Sequence, residues 1–191
     1  MNRNILMICF LIFIFCSTII NAQVKKIDTT VKLGDYGFHV ECSNKDTSEN
    51  MLTISPVGFR IQQNHAMFKV QGKVTKVVAD DFNDDSYTDL VICVYNGDIG
   101  SVVGISSSEN KSIVPIYFPD IFLDPKIRDG YKGHDKFSAL TGTLLRKFPV
   151  YLPTDTLNKP TGGTRTIQYQ AVKDNDKLSF KVLRSFDVKT E

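Results

Sequence analysis

No stretch of this chain keeps an apolar residue at every third or fourth position for long. That absence excludes helical bundles and helical solenoids. There is no internal repeat, no low-complexity tract and no linker, so repeat arrays and tethered modules are excluded too. Charge of one sign is also missing. Lys and Arg number 23 against 21 Asp and Glu, and no segment carries a basic stripe. A near-neutral chain gives no electrostatic case for nucleic acid. Cysteine is sparse at four residues, too few for a dense disulfide framework.

What is present begins with a leader. Asn2 and Arg3 precede a charge-free run from Ile5 to Phe15, and Asn21-Ala22-Gln23 follows. This pattern predicts a secretory signal peptide over residues 1–22, cut after Ala22. The apolar run is short for a membrane span, and polar chain follows it. Neither Cys9 nor Cys16 has the small residues that precede a lipid-modified cysteine. The expected product is a soluble protein, periplasmic or secreted, of 169 residues (23–191). Loss of Arg3 takes the net charge from +2 to +1. That length suits a single domain with its own core. Cys42 and Cys93 survive processing. Export permits a disulfide between them, and two buried thiols are equally compatible with their strand-like settings.

Short runs punctuated by Pro and Gly predict strands. They fall at Gly37–Cys42, Met51–Ile54, Met67–Val70, Val74–Ala79, Leu90–Val94, Ser101–Ser107, Ile113–Phe118, Lys136–Tyr151 with a bulge at Gly142, Arg165–Lys173 and Leu178–Phe186. Residues 23–32 read as a loose lead-in, and 119–136 as one long irregular loop with room for one helical turn. The unbroken apolar run Leu90–Val94 calls for cover on both faces. Together these predict an all-β fold, an antiparallel β-sandwich of about eight strands.

Two stretches carry chemistry. Oxygen-bearing side chains at Asp81, Asn83, Asp85 and Asp89, with the Tyr87 carbonyl, follow the D-x-[DN]-x-D-[GS]-x-x-D spacing of a calcium loop. The twelfth position is Ile92 instead of Glu, and strands flank the loop, so it is no EF-hand. Ser86 stands where Gly usually makes the sharp turn. The alternative is an Asp/Asn-rich hairpin turn without an ion. Asn96-Gly97-Asp98-Ile99-Gly100 is a hairpin tip. Its strand, Asp89–Tyr95, spans about 23 Å at roughly 3.3 Å per residue, so the tip and the Asp-rich loop lie at opposite ends of the sheet. His39 and Cys42 have H-x-x-C spacing but no second pair, which disfavours zinc. Gly162-Gly163-Thr164-Arg165 precedes a strand instead of a helix, so it reads as turn chemistry and not a phosphate loop. His134 beside Asp135 admits acid–base work, but no nucleophile has a suitable setting, and the better reading pins a loop to the sheet.

Several stretches together resemble one family. Tyr131-Lys132-Gly133-His134-Asp135-Lys136-Phe137 is similar to a Y-x-G-H-D-x-F segment. Leu144-Leu145-Arg146-Lys147-Phe148-Pro149-Val150-Tyr151 is similar to L-x-R-x-F-P-[LV]-Y. Lys159-Pro160-Thr161-Gly162-Gly163-Thr164-Arg165, with Gln168-Tyr169, resembles P-x-G-G-x-R-x-[LI]-x-Y. Asp81–Leu90 matches an Asp-rich turn between two strands. The resemblance is to the periplasmic inhibitors of invertebrate-type lysozyme, and it spans most of residues 70–172. It implies a β-sandwich, a homodimer, and inhibition by a loop set into the lysozyme cleft, where two carboxyl groups flank the scissile bond. The family's S-G-x-Y motif corresponds here to Asn96-Gly97-Asp98-Ile99. Asn96 can donate from its amide, Ile99 cannot hydrogen-bond, and Asp98 adds a negative charge. A basic residue on an adjacent loop of the family corresponds to Lys111. The competing function is a calcium-stabilised β-module for binding or adhesion, with no enzyme target.

Overall fold

The computed structural model describes residues 25–60, 65–156 and 159–189. The expected leader lies outside these residues. Among the described residues twelve strands run β1 (Ile27–Leu33), β2 (Tyr36–Cys42), β3 (Glu49–Val57), β4 (Ala66–Gln71), β5 (Lys73–Asp80), β6 (Asp89–Asn96), β7 (Ile99–Ser108), β8 (Ser112–Tyr117), β9 (Lys136–Leu140), β10 (Thr143–Pro149), β11 (Thr164–Asp174) and β12 (Lys177–Val188). β1 to β4 form an antiparallel sheet in chain order, and the other eight form a second sheet ordered β5-β6-β7-β8-β12-β11-β10-β9. The fold is all-β, between a sandwich and a barrel, as the strand pattern predicts.

β6 separates two cores. Its alternate residues Leu90, Ile92 and Val94 pack with Phe38, Val40, Leu52 and Ile54 under the small sheet. The intervening Val91 and Cys93 pack with Phe82, Phe148, Tyr169 and Phe180 inside the large sheet. This is why the run Leu90–Val94 contains no polar residue. Each fully buried aliphatic of this kind contributes about 1.5–3 kcal/mol, so β6 stabilises both layers at once.

The large sheet bends until its edges meet. Lys76 Nζ on β5 donates to the Phe137 carbonyl on β9 at 3.5 Å. The Gly142 N–H reaches Asp80 Oδ2 at 3.3 Å. One contact is parallel, where β12 meets β8 through Leu178↔Ile116 and Ser179↔Tyr117.

Two expectations change, and two readings left open are resolved. Residues 27–33 form β1, paired with β2 along its whole length. The stretch reads as polar because it is an edge strand with one face in water. Lys136–Tyr151 is two strands, β9 and β10, joined by a tight turn at Thr141 and Gly142 (φ +34° and +70°) in place of a bulge. The loop 119–136 is ordered by two aspartates. Asp120 Oδ1 accepts the Phe122 N–H above a 3-10 turn (Ile121–Leu123), and Asp124 Oδ1 accepts from Lys126 and Ile127 to start α1 (Pro125–Arg128). Arg165 donates to the carbonyls of Lys126, Ile127 and Asp129, closing the far end of α1. Cys42 and Cys93 are both buried free thiols in different cores, and no disulfide joins them.

Candidate functional site

The hairpin joining β6 to β7 carries two loop residues, Gly97 and Asp98, with Asn96 paired to Ile99. Gly97 has φ +59°, the conformation a glycine-first primed turn needs. Asn96, Gly97, Asp98 and Ile99 are all exposed, and Ile99 shows 44 % of its surface to solvent. Gly100 is buried and belongs to the support.

That support is a buried ion pair. Arg146 on β10 and Asp135 ahead of β9 have side chains 2 % and 0 % exposed. Arg146 Nε donates to Asp135 Oδ1 at 2.6 Å, and an Arg146 terminal N–H donates to Oδ2 at 3.1 Å. The same nitrogen donates to the Gly100 carbonyl at 3.2 Å and to the Tyr131 hydroxyl at 2.9 Å. The Tyr131 hydroxyl donates to Asp135 Oδ2 at 2.5 Å. The Gly100 N–H donates to that oxygen too, at 2.7 Å. Tyr95 Oη donates to the Asp135 carbonyl at 3.0 Å. The rings of Phe118, Tyr131, Phe137 and Phe148 surround the guanidinium at 5.2–6.0 Å. Burial works against the Arg146 charge, but Asp135 more than offsets it and the Arg146 pKa rises. Burial also raises the Tyr95 phenol to about 12.

One residue away, His134 turns outward. Its N–H donates to the Asp98 carbonyl at 2.7 Å, and Nδ1 lies 3.4 Å from Asp98 Oδ1. Gly133, at φ +91°, presses on the tip. A Cβ there would stand 2.9 Å from the Asp98 carbonyl oxygen, so a side chain would push the tip off its seat. The side chains of His134 and Asp135 therefore face different partners, Asp98 and Arg146.

Lys111 does not join this tip. It follows β7, whose first residue Ile99 begins at the tip and whose last, Ser108, is about 30 Å away at roughly 3.4 Å per residue. It pairs with Glu109 there. Lys136 and Lys147 line a groove of about 330 Å³ together with His134, the residue whose ring faces Asp98. Linear sequence hides this, because β9 and β10 reach the tip only through sheet closure.

The Asp-rich loop caps the opposite end of β6. Asp81 Oδ1 and Oδ2 accept the N–H groups of Asp85 and Ser86 at 3.1 and 2.7 Å. Asn83 Oδ1 accepts from Asp85 N–H, and Asp85 Oδ1 accepts from Tyr87 N–H. Asp84 and Ser86 take φ +60° and +68°, so Ser86 does adopt the conformation that usually calls for glycine. Asp89 is fully buried, and its Oδ2 accepts the Phe82 N–H at 2.9 Å. Its Oδ1 has no hydrogen-bond partner. The Ser106 hydroxyl lies near enough to lower the Asp89 pKa but out of hydrogen-bonding geometry to Oδ1. Burial dominates, with Asp85 and Asp81 adding to it, and pushes the carboxyl up to about 7.

A third cluster lies on the outer face of the small sheet. Ligand atoms of Asp28, His39 and Glu41 fall within 4.8 Å of one another. Thr30 and Lys26 already engage His39 and Asp28 there. Cys42 points the other way, into the core. Among the described residues, no helix is long and apolar enough to cross a membrane.

No family model, curated protein or solved structure matches the chain. The functional reading therefore rests on the site and on the sequence resemblance.

Proposed function

We propose that this chain is an exported inhibitor that sets the Asn96–Ile99 hairpin into the cleft of an invertebrate-type lysozyme. The observation that carries the reading is a four-residue exposed tip backed by a fully buried Arg146–Asp135 pair, with Gly100 bonded to both members. A projection held this way loses little conformational freedom on binding, so more of its contact energy appears as affinity. Its chemistry suits a glycosidase cleft. The Asn96 amide can donate to a catalytic carboxylate, and Ile99 offers an apolar contact where a sugar face would lie. Asp98 would repel those carboxylates if bare, but it faces His134. Lys136 and Lys147, which share a groove with His134, add positive charge on the side of the domain that holds His134.

A lysis assay tests this. The purified exported chain is added in tenfold excess to invertebrate-type, chicken-type and goose-type lysozymes on bacterial cell walls. Inhibition of the invertebrate-type enzyme is the expected result. Undiminished lysis by all three enzymes sinks the proposal.

A further inference from the structure

We propose that the loop Asp81–Asp89 binds one calcium ion, held by side-chain oxygens of Asp81, Asn83, Asp85 and Asp89 and by the Tyr87 carbonyl. Spacing alone does not carry this. The decisive atom is Asp89 Oδ1. Its residue is fully buried, yet this oxygen has no hydrogen-bond partner. Buried carboxylate oxygens are otherwise matched by a donor or a cation. The Phe82 N–H on Oδ2, at 2.9 Å, ties the carboxyl to the start of the same loop. No Lys, Arg or His forms an ion pair with Asp89 among the described residues.

The remaining donors suit the same ion. All are hard oxygens, which favour calcium over zinc or copper. The loop is shaped by its own backbone N–H groups, which bond Asp81, Asn83 and Asp85 from within. Asn83 Nδ2 also reaches Ser106 Oγ at 3.2 Å, tying the loop to β7. Asp81, Asp85 and Asp89 do not form a group with oxygens all within 4.8 Å of one another. Binding therefore draws in the exposed Asp85 side chain, and calcium tolerates such irregular, adjustable shells better than magnesium does. The site lies at the opposite end of β6 from the tip, so it is independent of the inhibitor reading.

The test is calorimetric titration of the EGTA-stripped exported chain with calcium chloride, alongside thermal unfolding. The expected result is one-to-one binding, with a dissociation constant at or below about 1 mM, the weak end for extracellular modules. The unfolding midpoint rises by several degrees at 10-fold or greater saturation. Asp85→Ala, an exposed change, and Asp89→Asn each weaken binding at least tenfold. If Asp89→Asn does not fold, Asp85→Ala decides. Absence of both heat and midpoint shift at about 10 mM calcium overturns the site, as does Asp85→Ala binding as tightly as wild type. Either outcome leaves the lysozyme assay unaffected.

Discussion

Two buried aspartates sit at opposite ends of β6, and the chain treats them differently. Asp135, behind the tip, has Arg146 on both oxygens and further donors from Tyr131 and Gly100. Asp89, behind the Asp-rich loop, has the Phe82 N–H on one oxygen, the Ser106 hydroxyl nearby, and no hydrogen-bond partner on Oδ1. A buried carboxylate is tolerated when a cation and donors complete it. At the tip end both come from within, and the result is a finished, rigid support. At the loop end no Lys, Arg or His of the described residues reaches Asp89, and under the calcium proposal the cation comes from outside.

The largest expected effect comes from breaking the finished end. Arg146→Leu leaves Asp135 buried without its partner and costs about 3–5 kcal/mol in urea unfolding. Adding Asp135→Leu to that variant restores part of the loss, because the uncompensated charge goes with it. A single variant as stable as wild type would show the pair to be dispensable.

Gly133→Ala acts at the seat of the tip. Strain at φ +91° and the contact with Asp98 cost about 1–3 kcal/mol. Inhibition weakens as well, because the tip is displaced. Asp89→Asn sharpens the contrast with Asp135. Measured in EGTA, it changes stability by less than about 1 kcal/mol, since no internal cation is orphaned. Asp135→Asn, which orphans Arg146, costs several times more.

The smallest effect is expected at Asp187. Its hydrogen bonds from Arg165 hold its carboxyl below the usual range. A depressed folded pKa gives stability that is present above about pH 4 and lost as pH falls further. The side chain is 40 % exposed, so the contribution is small. Melting curves of wild type and Asp187→Asn should differ slightly at pH 6 and converge near pH 3.

Much of the fold was legible because periodicity survives in the interior. Leu90–Val94 was apolar throughout, and both its faces are covered. β1 was not legible, since an edge strand with one wet face carries polar residues that mimic a loop. The β9–β10 turn is hard to tell from a bulge in sequence because Gly142, at φ +70°, serves either geometry. At the site, Asn96–Ile99 was visible as turn chemistry, but the Arg146 guanidinium behind it was not. Arginine is rarely buried, and only sheet closure brings β10 to the tip. Lys111 answers to the family's basic residue only along the chain, because the ten residues of β7 carry it to the other end of the sheet.

The most direct test of the account compares the wild-type chain with Ile99→Asp against an invertebrate-type lysozyme. Ile99 is exposed, so the substitution should move the melting midpoint by no more than about 2 °C. The account predicts near-stoichiometric inhibition by wild type and at least a tenfold weaker effect from the variant, about 1.4 kcal/mol of binding. Equal inhibition by the two proteins, or none by wild type, would contradict it.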